Sequence, residues 1–319
     1  MLTYFLLAIG FVLLIKGADL LVDGSAAIAK KYNISNIVIG LTIVSFGTSS
    51  PELIVSLLAS IKGNTDIAIG NVVGSNIVNI FFILGVSATI YPLLTKSNTI
   101  WKEIPMSLLA ALMLFVLASD QLIDGSSFSM LTRIDGIVLL AFFVIFIYYT
   151  VGISKADADD SPEVVVPVLS SGKSIIYILV GLAGLVIGGK WIVDGAVHMA
   201  TSLGLSESLI GLTIVAVGTS LPELAASAMA AYKKQTDIAI GNVVGSNIFN
   251  IFFVLGTSAL IKPLPFNSGT AIDVMVACLA SIILFALLFV GKKHTIEKWQ
   301  GVFMILIYGA YIIFLINTK

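Results

Sequence analysis

Two glutamates, Glu52 and Glu223, stand inside apolar runs in matching settings, "GTSSPE" at 47–52 and "GTSLPE" at 218–223. A carboxylate deep in a hydrophobic segment is costly, and it marks a polar site facing the interior of a helix bundle. Pro51 and Pro222 have no N–H to donate and clash with the carbonyl four residues back. Breaks are therefore expected near Gly47 and Gly218, leaving backbone carbonyls without partners. Thr48 and Ser49 lie four and three residues before Glu52, as Thr219 and Ser220 do before Glu223, so each trio can face one direction. A second polar cluster follows each motif, "GNVVGSNIVNI" at 70–80 and "GNVVGSNIFNI" at 241–251. There Ser75 shares a helix face with Asn79, and Ser246 with Asn250. Gathered at one depth, these groups form an oxygen-only set of carboxylates, carboxamides, hydroxyls and carbonyls. Such a set selects hard cations, and Ca2+, which takes about six to eight oxygens of these kinds, fits it. No His or Cys stands in the clusters, which argues against zinc, copper or nickel. Two ionised glutamates balance one Ca2+, the same oxygens can hold monovalent cations, and competition between those occupancies makes an exchanger.

The elements that must position these groups are membrane spans. Of 319 residues 58% are hydrophobic and 11% charged, against roughly 25% charged in a soluble domain. Apolar runs between polar breaks predict an all-α integral membrane protein with ten transmembrane helices, at about 2–29, 36–61, 66–92, 103–120, 132–151, 174–201, 207–232, 237–261, 270–291 and 298–316. The N-terminal run has no basic start and no clean cleavage site, so it reads as a retained first span. Residues 40–85 match 211–256 at a constant offset of 171 with 33 identities in 46 positions, an internal duplication. The chain thus divides into a first five-helix repeat, 1–153, an acidic linker, 154–173, and a second, 174–319. Five is odd, so the second repeat enters from the opposite side and the repeats are inverted. Lys30, Lys31, Lys96, Lys102, Lys155, Lys173, Lys233, Lys234, Lys292, Lys293 and Lys298 fall on one side of this topology, and only Lys62, Arg133, Lys262 and Lys319 on the other. The positive-inside rule then places both termini outside a cell membrane and the linker in the cytoplasm.

The paired "GTSSPE" and "GTSLPE" motifs, each followed by "GNVVGSNI", resemble the two alpha repeats of the cation/Ca2+ exchanger superfamily, especially its prokaryotic Na+/Ca2+ exchangers. The likeness in span count covers nearly the whole chain. The motifs themselves occupy about 46 residues per half. The resemblance implies antiport of Ca2+ against Na+ by alternating access, with Glu52 and Glu223 as central ion ligands. It also implies ligand roles for Thr48, Ser49, Ser75, Asn79, Thr219, Ser220, Ser246 and Asn250, and for the carbonyls of Ser45 and Ala216. In the motion that the family suggests, the first and sixth spans shift across a core of four ion-lining spans. Several relatives, notably the K+-dependent branch, carry an aspartate where this chain has Asn250, and the proton-coupled branch carries a "GNAAEH"-like motif that is absent here. Na+ is accordingly the expected counter-ion, with Ca2+/H+ exchange, K+-dependent exchange and a cation channel as alternatives.

Plainer roles are expected for other polar residues. Asn71 and Asn242 stand equally for ion contact or helix glue. Asp66 and Asp237 read as helix caps. Lys16, Asp19, Asp23, Lys190 and Asp194 read as snorkelling or mutually paired groups, with Lys190 opposite Asp19 in the duplication. His198 and His294 read as interfacial residues. Cys278 reads as a small buried hydrophobe, and "KADADDSPE" as a solvated linker. The net charge of −1 offers no basic patch for nucleic acid. No nucleophile–base pair or metal-ligating histidine supports an intramembrane hydrolase, so no enzyme activity and no resident cofactor are expected. The ions and the lipid bilayer are the expected partners, and an oligomer is not required.

Overall fold

The computed structural model describes residues 2–154, 167–202, 216–266 and 268–318. The chain is almost wholly helical: α1 Leu2–Tyr32, α2 Asn36–Thr48, α3 Ser50–Lys62, α4 Thr65–Ile90, α5 Thr99–Leu117, α6 Arg133–Ile153, α7 Ser171–Ser202, α8 Leu221–Tyr232, α9 Thr236–Ile261, α10 Ser268–Leu287 and α11 Lys298–Thr318. Among the described residues eight helices are long and apolar enough to cross a membrane, nine when the bent pair α2–α3 is counted as one span. The expected span at 207–232 is described only from Ala216 onward, and residues 155–166 of the acidic linker lie outside the described residues. Helix α7 begins at Ser171, three residues before the expected start of the sixth span at 174.

Two features depart from a purely helical reading. Two short antiparallel pairs join the ends of the spans. In one, Leu93–Leu94 (β1) pairs with Thr295–Ile296 (β4), Leu93 opposite Ile296; in the other, Ser129–Leu131 (β2) pairs with Leu264–Phe266 (β3), Leu131 opposite Leu264. Within the spans, π-helical stretches occupy Gly40–Val44, Val78–Leu84, Thr99–Glu103 and Phe249–Leu255. A π turn has no signature in apolar periodicity, and such turns recur at functional sites.

Small residues set the packing. Cβ atoms added at Gly10, Gly17 and Gly24 of α1 would lie 2.9, 2.8 and 2.7 Å from the carbonyl oxygens of Gly188, Gly181 and Ser174 of α7. The partners descend in number as α1 ascends, so the two long helices run antiparallel with their backbones in contact, which a seven-residue glycine stripe permits. The last span of each half packs on the other half's long site helix or its equivalent: a Cβ on Gly136 of α6 would meet the Gly256 carbonyl of α9 at 2.7 Å, and one on Gly301 of α11 the Gly85 carbonyl of α4 at 2.6 Å. Helices α5 and α10 pack together, with Trp101 ringed by Phe285 and Phe289 at 5.8 and 5.6 Å. Helices α4 and α9 are thereby enclosed, and α6 and α11 expose most of their apolar surface at the periphery. Cys278 is buried and free, and Tyr4 packs edge-on to His198 at 5.9 Å.

Of the charges on the long helices, Lys16 pairs with Asp19 at 4.0 Å, within the expected group, and Asp19 and Asp23 find a further partner outside it. Lys190 does not meet Asp19; Lys233, in the turn between α8 and α9, bonds Asp19 at 2.5 Å and Asp23 at 2.6 Å. A lysine at the end of a neighbouring helix reaches those carboxylates more directly than one carried on the antiparallel partner. Asp66 and Asp237 lie inside the first turns of α4 and α9, after Asn64 and Gln235 at the cap positions, and no side-chain cap bond forms. Asp237 pairs with Lys96 at 3.5 Å instead.

Candidate cation site

The break in the second span falls at Ser49 (φ −82°, ψ 9°), with Pro51 in the first turn of α3, and the two segments meet at 48°. Ser220 (φ −88°, ψ 8°) precedes Pro222 in the same way. Both breaks lie two residues after the expected glycines, because the proline ring displaces the turn immediately before it. The glycines serve packing instead: a Cβ at Gly47 would lie 2.4 Å from Leu182 of α7, and one at Gly218 2.3 Å from Val193. The Ser45 carbonyl accepts from the Ser49 N–H at 2.9 Å, and Thr48 Oγ1 lies 3.3 Å from it. Ala216 opens the described turn Ala216–Gly218.

The breaks bring hydroxyls of one half onto the carboxylate of the other. Ser49 Oγ donates to Glu223 Oε1 at 2.7 Å and lies 2.9 Å from Ser246 Oγ. Ser220 Oγ donates to Glu52 Oε1 at 3.2 Å and lies 3.1 Å from Ser75 Oγ, which itself reaches Glu52 Oε1 at 3.4 Å. Thr48 Oγ1 donates to Asn242 Oδ1 at 3.1 Å, and Thr219 Oγ1 to Asn71 Oδ1 at 3.4 Å. Asn71 and Asn242 are helix glue: each amide donates to the backbone carbonyl of the glutamate in its own half, Glu52 at 3.2 Å or Glu223 at 3.3 Å, and to Ser56 or Ser227. Asn79 and Asn250, at the starts of the π-helical stretches of α4 and α9, donate through Nδ2 to Asn247 Oδ1 at 2.9 Å and Asn76 Oδ1 at 3.1 Å. Asn76 and Asn247 were missed as candidates, although their duplication within "GSNI" was a signal.

The decisive geometry is what these bonds leave over. Glu52 and Glu223 are each 1% exposed, and each spends one carboxylate oxygen on serine hydroxyls. Glu52 Oε2, Glu223 Oε2, Asn79 Oδ1 and Asn250 Oδ1 are buried and have no hydrogen-bond partner among the described residues. A buried acceptor left unpaired costs about 1–3 kcal/mol, and more when charged. Four such oxygens, matched one to one between the halves, suit a cation. Among the described residues no group of three or more His, Cys, Asp or Glu is gathered, so the set consists of two carboxylates with neutral oxygens.

With this geometry in place, comparison with known proteins is informative. The family model described as sodium/calcium exchanger protein matches residues 2–152 and 173–317. The chain belongs to that family. The exchanger is 34% identical to the sodium/calcium exchanger MaX1 of Methanosarcina acetivorans, over 98% of each chain. It is 38% identical to the putative antiporter CaxA of Alkalimonas amylolytica, over 95% of each. Among solved structures, the sodium-calcium exchanger NCX_Mj soaked with 2.5 mM Na+ and 0.1 mM Ca2+ superposes with a TM-score of 0.83 at 35% identity, covering 100% of this exchanger and 98% of that chain. NCX_Mj soaked with zero Na+ and Ca2+ gives a TM-score of 0.85 over 98% of each.

Proposed function

We propose that this chain is a secondary antiporter that exchanges Ca2+ for Na+ across the membrane, binding either ion between its two halves. The observation that carries the reading is four buried oxygens, two on glutamates and two on asparagines at matching positions of the halves, that have no partner among the described residues. Ca2+ is neutralised by two carboxylates, and Na+ can take the same oxygens, so one ion's departure is the condition for the other's entry. Glu52 and Glu223 supply the charge. Asn79 and Asn250, with the hydroxyls of Thr48, Ser49, Ser75, Thr219, Ser220 and Ser246, complete the ligand set. The backbone carbonyls of Ser45 and Ala216 are further members of that set. Membership of the exchanger family and the named activity of MaX1 support the choice of ions.

In this reading the chain forms ten transmembrane helices in two inverted five-helix repeats, 1–153 and 174–319, joined by the cytoplasmic linker 154–173, with both termini extracytoplasmic. The antiparallel α1–α7 seam and the matched β1–β4 and β2–β3 pairs support it. Access alternates as α1 and α7 shift over the site, and the two halves differ in the way such a motion requires. Ala18 and Val22 of α1 are buried, and Lys233 fastens the adjoining Asp19 and Asp23. Gly189 of α7, the counterpart of Ala18, is also buried, but Val193, the counterpart of Val22, is only partly so, and both line a cavity of about 290 Å3 with Lys190, Asp194, Pro51 and Thr219. On the charge-based orientation the sealed flank is cytoplasmic and the cavity opens outward. Ca2+ flux into proteoliposomes under imposed Na+, K+ or pH gradients tests the assignment. Na+-driven flux is expected, whereas flux driven by pH, or strictly requiring K+, would move the chain to another branch.

A further inference from the structure

The two orphan carboxamide oxygens depend on which way each amide is turned, and the structure holds the reason in two further asparagines, Asn76 and Asn247. Asn76 Nδ2 donates to the backbone carbonyl of Asn247 at 3.2 Å. A carbonyl can only accept, so the Asn76 side chain is fixed with its oxygen on the other side. That oxygen accepts from Asn250 Nδ2 at 3.1 Å, which turns Asn250 Oδ1 away, into the position where it is buried and unpartnered. In the mirror half Asn79 Nδ2 donates to Asn247 Oδ1 at 2.9 Å, and Asn79 Oδ1 is likewise left over. All four asparagines are 3% exposed or less, so water does not compete for these bonds.

We propose that Asn76 and Asn247 are positioning residues that turn Asn250 and Asn79 oxygen-inward across the interface of the halves, and thereby hold positions 79 and 250 neutral. A carboxamide alone meets both demands made on these positions, an N–H toward the fixed acceptor and an oxygen toward the cation. An ionised aspartate at 250 would set acceptor against acceptor at Asn76 Oδ1. The asparagine tetrad thus limits the fixed charge around the cation to the two glutamates, which explains in this chain's own contacts why Asn stands at 250. The inference rests on the cation-site reading above.

The test is a double-mutant cycle in proteoliposomes, reading the KM for Ca2+ in Na+-driven uptake for wild type, Asn76→Leu, Asn250→Ala and the double variant. Asn250→Ala removes a ligand oxygen and is expected to raise KM about tenfold. Asn76→Leu frees the Asn250 amide to turn and is expected to raise KM about fivefold; in the Asn250→Ala background the same substitution should change KM by less than about twofold. A merely structural role for Asn76 would lower the amount of folded protein and would act equally in both backgrounds. Additive effects, or an unchanged KM for Asn76→Leu beside a raised KM for Asn250→Ala, would overturn the positioning role alone. An unchanged KM for Asn250→Ala would overturn the cation-site reading as well. Should Asn76→Leu not fold, the milder Asn76→Ser and the mirror cycle of Asn247→Leu with Asn79→Ala make the same demand of non-additivity.

Discussion

A carboxylate and a carboxamide have nearly the same shape and differ in charge and in what they can donate, which makes Glu→Gln the most informative exchange at the site. Glu52→Gln and Glu223→Gln each keep an oxygen for the serines of the opposite half but leave one carboxylate to face a divalent cation. Removing one member of a buried charged set costs about 3–5 kcal/mol, more than 100-fold in affinity. Each single variant should therefore lose Ca2+ transport almost completely. In Ca2+-free detergent the same variants should unfold at higher temperature than wild type, because one of two buried, unneutralised carboxylates is gone; the added stabilisation by Ca2+ should disappear. Thermal unfolding with and without Ca2+ checks both halves of that expectation. At this scale the sequence was informative where chemistry is rare: two glutamates in apolar runs, duplicated with their hydroxyls, point to an oxygen site before any fold is known. It showed the duplication of Asn76 and Asn247 but not their roles, which arise from which residue each meets across the halves.

Helices deliver these residues to one depth, and two details of packing control how. The α1–α7 seam leaves no space at Gly17, where a Cβ would lie 2.8 Å from the Gly181 carbonyl and 2.9 Å from the Leu185 N–H. Backbone cannot yield as a side chain can, so Gly17→Ala should cost about 1–3 kcal/mol and lower transport, whereas Gly152→Ala, where nothing lies within 4 Å, should do neither. Thermal unfolding and initial uptake rates of the two variants, compared at equal expression, check this. The second detail is the fastening of α1 by Lys233. Lys233→Gln removes the cation that Asp19 and Asp23 share, so α1 should leave the sealed flank more often. A cysteine placed at Val22, in a Cys278→Ala background, should then be labelled several-fold faster by a membrane-impermeant reagent on the cytoplasmic face; unchanged labelling would show that apolar packing alone keeps this flank shut. The spans were legible from apolar runs because lipid makes hydrophobicity the governing rule. The π-helical stretches and the Lys233 pairs were not, since the first alter hydrogen bonding without altering composition, and the second join residues more than 200 positions apart.

For the whole molecule, the duplication organises everything else. The offset of 171 between the repeats recurs in space as paired contacts, Ser49 with Glu223 and Ser220 with Glu52, so neither half builds the site alone. On the proposed reading the two ions compete for that one set of ligands, and the cavity beside α7, against the packed α1 flank, sets the direction of access. The most direct measurement is Ca2+ uptake into proteoliposomes loaded with Na+ and diluted into Na+-free, K+-free medium at equal internal and external pH, with wild type beside Glu223→Gln. Uptake should occur only with the outward Na+ gradient, should stop when that gradient is collapsed, and should be absent in the variant. Ca2+ entry of equal rate without internal Na+, or preserved in Glu223→Gln, would contradict exchange at a site shared between the halves.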